Sequence, residues 1–324
     1  MWYQRLERPD GVFFYLDVDR QTEVVSINEL ERIEKLHIPR AYQNVMINKN
    51  RRAKVLAYGY DSRGRKQTIY APWFIQKQAT KKYAKVVEVD GYMPKLIERI
   101  HKDIVGSGGD TIRHKHNEKY KKDQMIAVVL YLMIACGFRV GNEKYAAENK
   151  SYGLTTLEVR HVRIKSREGM IEIKFIGKKG VENIGVIHKK DVPIVYKYMI
   201  KSIKNKERGD RVFTGLSSDD VNEYLREIHP DITSKDIRTW NANQMFLTHI
   251  MKNHQNQGDS KKVITVSEKQ VKRDINIALD QVAAHLHHTR DVCKKNYIHP
   301  DFVEFARIVM IQREGMSNIS HAFS

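Results

Sequence analysis

Four short segments carry the residues with the most chemistry in them, and they follow one order along the chain. Gly137-Phe138-Arg139-Val140-Gly141-Asn142 brings an arginine and Phe175-Ile176-Gly177-Lys178-Lys179 brings two lysines. Lys235-Asp236-Ile237-Arg238-Thr239 adds a second arginine, and the run from His288 to Tyr297 places a histidine nine residues before a tyrosine. A tyrosine hydroxyl that attacks a DNA phosphodiester needs this set. In-line attack builds negative charge on the non-bridging oxygens, and fixed cations aimed at those oxygens are usually the largest catalytic contribution. Arginine suits that task because its planar fork contacts two oxygens and stays charged. Arg139 and Arg238 are the candidates, with His288 as a third donor and Tyr297 as nucleophile. A phenol titrates near a pKa of about 10, so the same cations favour the phenolate. The leaving sugar 5′ oxygen needs a proton, which a lysine on a hairpin tip can supply. Lys178 is the first choice and Lys179 the alternative. The covalent phosphotyrosine keeps the bond energy, so the scheme requires no ATP, metal or other cofactor.

Taken singly, each member has an ordinary reading. Tyr297 is one of 16 tyrosines, and the two lysines alone would be a solvated turn. His285, His287 and His288 have no cysteine or carboxylate at ligand spacing, so no metal site is expected. His114-Lys115-His116 reads as solvated. The argument rests on the joint order Arg–Lys–Arg–His–Tyr.

The elements that must hold these residues divide at about residue 88. Residues 1–88 read as a small β-rich domain: Val12 to Leu16, Asn44 to Ile47, Lys54 to Tyr60 and Gln67 to Tyr70 are short aromatic and β-branched runs between turn residues. Asp61-Ser62-Arg63-Gly64-Arg65 reads as a hairpin turn. Pro94 suits the first turn of a helix, with Leu96, Ile97, Ile100 and Ile104 following at helical spacing. Gly106 to Asp110 is a break, and residues 111–123 form a very basic loop. A long apolar helix is expected from about Asp123 to Gly137. Strands follow over Ile171–Ile176 and Asn183–Ile187, joined by the turn at 177–180. The chain is mostly helical from Val192, with a flexible loop from Asn253 to Val263. The fold class is therefore α+β, with residues 89–324 as a larger, mainly helical catalytic domain carrying a small sheet.

Composition narrows the partner. The chain has 324 residues, 41% of them apolar, and a formal net charge of +18. That is enough chain for two domains with real cores. Such an excess of positive charge points to a polyanion, nucleic acid first and an anionic membrane second. It is distributed unevenly: residues 1–36 carry 5 Lys/Arg against 8 Asp/Glu, whereas residues 37–88 carry 12 against 2. One face of the first domain should be basic. The longest apolar run, Met125 to Gly137, is too short to span a bilayer, and Met1 to Arg5 does not read as a signal peptide. Two cysteines, Cys136 and Cys293, make no disulfide framework, which fits a reducing compartment. Both lie within four residues of a candidate catalytic residue, so thiol reagents are expected to inhibit.

At these residues the chain resembles the type IB DNA topoisomerases, specifically the compact class of poxviruses, giant viruses and some bacteria. Arg139 to Tyr145, continuing through Glu148-Asn149 and Ser151 to Leu157, is similar to the bacterial members. So is Asp220 to Ile228, leading to Lys235 to Trp240. The resemblance implies Arg139, Lys178, Arg238 and His288 as catalytic and Tyr297 as nucleophile, in agreement with the chemical reading. It implies a β-rich N-terminal domain and a larger helical domain that clamp duplex DNA as a C-shaped monomer, in a bacterial cytoplasm, a viral factory or a virion. The family's N-terminal DNA contacts fall on Arg63, Arg65, Lys66, Gln67 and Tyr70. A basic hairpin can hold phosphates there while Gln67 and Tyr70 reach base edges or sugars. Asn142 adjoins the first arginine, and Lys235 and Asn243 fall on further phosphate-contact positions. Two departures bear on sequence preference. Poxvirus enzymes carry a lysine at the position of Asn142 and a tyrosine at that of Thr68, which removes support for their pyrimidine-CCTT cleavage preference.

Tyrosine recombinases share the two arginines, the lysine and the His-to-Tyr spacing. Their second arginine box usually reads His-x-x-Arg, and here Lys235 stands three before Arg238. A non-enzymatic DNA-packaging protein would explain the charge, but it would not require the Arg–Lys–Arg–His–Tyr order.

Overall fold

The computed structural model describes residues 1–106, 118–255 and 267–311, and the chain forms two compact units, Met1–Ala84 and Lys85–Ser324. The first is built on a six-stranded antiparallel sheet of order β3-β2-β1-β4-β5-β6. Its strands are β1 Trp2–Glu7, β2 Phe13–Asp17, β3 Thr22–Glu23, β4 Gln43–Asn48, β5 Val55–Tyr60 and β6 Lys66–Tyr70, with helix α1 Ile27–Glu34 between β3 and β4. The core is small: Ile33 of α1 packs with Val45, Ile47 and Ala57 of the sheet. Arg5 lies buried at the sheet's centre. Its guanidinium donates to the carbonyls of Pro39 and Arg40 at 3.1 and 3.2 Å and also to that of Tyr42, so the buried charge is held by backbone carbonyls.

β1 and α1 escape a reading by short aromatic runs. β1 has no alternation, with Trp2-Tyr3 followed by Gln4-Arg5, and its place in the sheet's interior depends on pairing with β2 and with distant β4. The expectation that Pro94 opens a helix is also corrected. Helix α2 runs unbroken from Pro72 to Val105 with Pro94 inside it. Pro72 takes the first-turn position, where the missing N–H costs nothing. Val86, Val89, Met93, Leu96, Ile100 and Ile104 form one continuous buried stripe. Pro94 sits on the exposed face of that helix, and burial of the stripe outweighs its local penalty.

In the second unit, α3 Glu118–Cys136 is buried along its last three turns. A three-stranded antiparallel sheet follows, β7 Val162–Lys165, β8 Met170–Ile176 and β9 Glu182–His188, with α4 Glu143–Asn149 before it. The remaining helices are α5 Pro193–Ile203, α6 Ser218–Arg226, α7 Ser234–Gln255, α8 Glu268–His285, α9 Arg290–Asn296 and α10 Pro300–Ile311. Two apolar clusters hold the unit together. One joins α2, α3, the small sheet, α5 and α6, and the other joins α7 to α10. α7 belongs to both, through Ile237 on one side and Ala242, Phe246 and Ile250 on the other. Arg238 therefore lies at the seam between them. The expected basic loop lies outside the described residues over 111–117, His114-Lys115-His116 included, as do the glycine-rich break over 107–110 and residues 256–263 of the second loop. Residues 253–255 belong to α7. Among the described residues no helix is long and apolar enough to cross a membrane.

Candidate active site

Each candidate side chain is set at the end of an element. Arg139 follows the C-terminus of α3 in an extended stretch that pairs with 153–155: Leu154 N donates to Arg139 O at 3.0 Å and Thr155 N to Val140 O at 2.7 Å. Gly141 is required there. Its φ is +106°, and a Cβ would stand 2.7 Å from Thr155 Oγ1. Arg238 lies in the second turn of α7, whose start is closed by Thr233: its N and Oγ1 both donate to Asp236 Oδ2, at 3.0 and 2.6 Å. His288 follows α8. Tyr297 closes α9, a helix begun by Thr289, whose hydroxyl accepts from Val292 N.

These four, drawn from four places in the sequence, meet. Arg139 Nη2 donates to the Tyr297 hydroxyl at 3.4 Å. The Arg238 guanidinium lies 5.4 Å from the centre of the Tyr297 ring, and the His288 ring stacks on Tyr297 at 4.8 Å with 17° between planes. Burial pushes the Tyr297 pKa up, but Arg238 and then Arg139 outweigh it, and the phenol is held below its ordinary value. Burial and then Arg139 bring Arg238 down to about 10, so it remains charged at neutral pH. Burial, followed by Arg238, lowers His288 to about 4, so its ring is neutral at pH 7. Arg238 is 5% exposed; its two terminal nitrogens donate to the carbonyls of Gly137 and Leu286. Its Nε and the Nε2 of His288 are buried without a hydrogen-bond partner. A buried polar atom left alone is costly; the Arg238 Nε–H can donate to an anion, whereas His288 Nε2 can do so only when it carries the ring proton, which here faces Thr289 O from Nδ1 at 3.2 Å.

Lys178 and Lys179 stand apart. Both are exposed on the turn Lys178–Gly180 between β8 and β9, and no hydrogen bond or ion pair ties them to the other four. Lys235 is exposed in the first turn of α7, one turn before Arg238. Asn142 is exposed and begins α4, its side chain accepting from Tyr145 N at 3.2 Å.

Asn243 is bound into the fold around Tyr297. It is fully buried, and its amide nitrogen donates to Thr239 O at 2.8 Å and to Tyr297 O at 2.7 Å, while its oxygen accepts from His299 N at 2.8 Å. It ties the backbone around Tyr297 to α7. Both cysteines lie buried. Cys136 and Cys293 are 7% and 0% exposed, and burial pushes both thiols up to about 12, so neither is a ready nucleophile toward a reagent.

In the first unit, the turn at 61–65 is organised by Asp61. Its carboxylate accepts from the backbone of Arg63 and Arg65 at 3.0 Å, and from Arg65 Nε and Gln67 Nε2 at 2.9 Å. The Arg65 side chain, foremost, holds Asp61 well below the usual carboxylate range. Arg63 is exposed, the Lys66 ammonium lies 3.9 Å from the centre of the Tyr58 ring, and Tyr70 packs beside Phe74 with ring centres 5.2 Å apart. Sequence reasoning missed Asn241, His285 and His287 as supports of the site. Both histidine rings face backbone carbonyls, and the density of histidines at 285–288 was their only signal.

Fold and site together define a chain that sets two arginines and a histidine around one tyrosine in a helical unit beside a small sheet. The family described as eukaryotic DNA topoisomerase I, catalytic core, matches residues 71–314, and that described as bacterial DNA topoisomerase IB, N-terminal domain, matches residues 12–61. The DNA topoisomerase 1B of Acanthamoeba polyphaga mimivirus is 30% identical over 303 residues, 89% of this chain and 82% of that protein. The DNA topoisomerase 1B of vaccinia virus strain Western Reserve is 28% identical over 255 residues, 78% of this chain and 73% of that protein. The chain belongs to the type IB DNA topoisomerases, a family of isomerases.

Proposed function

We propose that the protein relaxes supercoiled duplex DNA by breaking and rejoining one strand through Tyr297. The Tyr297 phenol loses its proton to water, its oxygen attacks the scissile phosphorus, the bond from phosphorus to the sugar 5′ oxygen breaks, and a 3′-phosphotyrosyl linkage forms. Lys178 gives its proton to the departing 5′ oxygen, and the reverse transfer restores it on religation. Between the two steps the free end rotates and supercoils are lost. Arg139, Arg238 and His288 hold the charge on the phosphate oxygens. One observation carries this reading: the Tyr297 hydroxyl lies within reach of Arg139, beside Arg238 and under the His288 ring. The partnerless, buried Arg238 Nε–H at the same spot supplies a hydrogen-bond donor for a phosphate.

In the same proposal residues 1–88 serve as a clamp domain and residues 89–324 as the catalytic domain of a monomer that closes around one duplex. Arg63, Arg65, Lys66, Gln67, Tyr70, Asn142 and Lys235 contact the DNA, while Asn243 acts through the Tyr297 backbone. The test is incubation with negatively supercoiled plasmid in excess EDTA without ATP, beside the Tyr297→Phe protein. Stepwise relaxation by the wild type alone is expected. Intact DNA binding with no relaxation would reject the proposal in favour of a site-specific recombinase or a packaging protein.

A further inference from the structure

The last turn of a helix leaves carbonyls that no helical N–H reaches. At the end of α3 these oxygens are taken by side chains from α7 and from the end of α8. Asn241 Nδ2 donates to Ile134 O at 2.9 Å, and His285 Nε2 lies 3.1 Å from the same oxygen. Arg238 donates to Gly137 O, and His287 Nε2 lies 2.9 Å from Cys136 O. A carbonyl only accepts, so the His287 nitrogen facing it carries the proton. Burial pushes the pKa of this ring down, which keeps the other nitrogen unprotonated at neutral pH.

His287 differs from its neighbours in its backbone. Its φ is +52°, a left-handed value that residues with a side chain seldom adopt. Such strain persists only where the surroundings over-determine it. Here the turn ends α8 and delivers the next residue, His288, onto the Tyr297 ring. The His287 ring also stacks on Phe138, with centres 5.4 Å apart and 23° between planes, and Phe138 immediately precedes Arg139. One side chain thus grips the segment leading into Arg139 while its own backbone places His288.

We propose that His287 is a positioning residue that fixes Arg139 and His288 relative to each other, so that both engage the same phosphate when Tyr297 attacks. The proposal rests on the reading of Tyr297 as nucleophile. It separates His287 from His285, which braces α3 one turn further from the site.

The test is single-turnover formation and religation of the covalent adduct on a duplex oligonucleotide, with rate and amplitude read separately and the melting temperature measured alongside. Wild type, Tyr297→Phe, His287→Ala, His287→Gln and His287→Asn are compared. His287→Ala should slow cleavage and religation equally, on the order of 10²-fold, the scale of a small misplacement of reacting groups. Its equilibrium adduct fraction should stay at the wild-type level. His287→Gln, whose amide nitrogen reaches the place of Nε2, should recover most of the rate. His287→Asn, which suits the left-handed backbone but is too short for Cys136 O, should not. Three results would overturn the proposal: a wild-type rate in His287→Ala, a reduced amplitude at a wild-type rate, or better recovery by Asn than by Gln. Failure of the underlying reading looks different, since the wild type would then form no adduct, or Tyr297→Phe would form one.

Discussion

The hairpin turn of the first unit and the tyrosine cluster of the second both gather cations, and they hold them in opposite ways. At residues 61–67 the charges stand in solvent around one carboxylate, and Arg65 remains 64% exposed while paired to Asp61. Around Tyr297, Arg238 is buried and Arg139 half-buried, and Arg238 is held by backbone carbonyls rather than by an acid. An exposed ion pair is screened and readily exchanged for another partner, which suits contact with a phosphate backbone that carries no fixed register. A buried guanidinium held by neutral dipoles keeps its full charge for a phosphate and does not have to reorganise when the reaction begins. Groove binding tolerates the first arrangement, whereas transition-state stabilisation requires the second.

The lysine turn between β8 and β9 tests this contrast most severely, because it is exposed and yet proposed to act chemically. Lys178→Ala should slow adduct formation by about 10²–10⁴-fold, the usual range for a general acid, and Lys179→Ala should have a much smaller effect. Single-turnover cleavage measures both, and the reverse ranking would transfer the role to Lys179. Next in size, Arg238→Ala should cost roughly 10²–10³-fold, as for loss of one oxyanion donor. Arg238 is also the first of the cations that depress the Tyr297 pKa. Its removal raises that pKa, so the alkaline rise in cleavage rate should move to higher pH. A pH profile superimposable on wild type would show that the buried arginine does not act on the phenol.

The exposed turn should answer differently. Arg63→Ala or Lys66→Ala should weaken DNA binding and lower the slope of log affinity against log salt by about 0.9 for each phosphate that is no longer neutralised. The cost should fall on affinity rather than on the rate at saturating DNA. Equal slopes for wild type and variants, in a titration from low to moderate salt, would remove these residues from the interface. The smallest expected effect concerns acid stability. Burial holds His161, His249, His285, His287 and His288 below the ordinary histidine value, His288 at about 4. The unfolded chain takes up protons as pH falls through about 6.5, while the native state does not. Stability is therefore full above that pH and declines from about 6.5 toward 4. Melting temperatures between pH 7.5 and 4.5 should fall in that window, and a flat profile would contradict buried neutral rings.

Much of this was legible in the chain because it is local. Alternation marks β8 and β9, and the apolar run before Gly137 marks α3, since burial on one face repeats with the period of the element. Tyr297 and the three residues around it were legible for a different reason: only a few side chains can hold charge on a phosphate, and their order is written in the sequence. Pro94 and β1 were not legible, because a buried stripe from Val86 to Ile104 and a pairing partner more than forty residues away decided them.

Composition and order alone determined the α+β class and pointed to a polyanionic partner and to phosphodiester chemistry, because charge, periodicity and side-chain functional groups are properties of the chain itself. Tertiary structure alone decided what each polar group spends its hydrogen bonds on. Asn243 supports the Tyr297 backbone, both cysteines are buried, and His287 meets Cys136 O across 151 residues. Burial and hydrogen-bond partners depend on groups distant in the chain, and at this site they determine which donors remain for a phosphate.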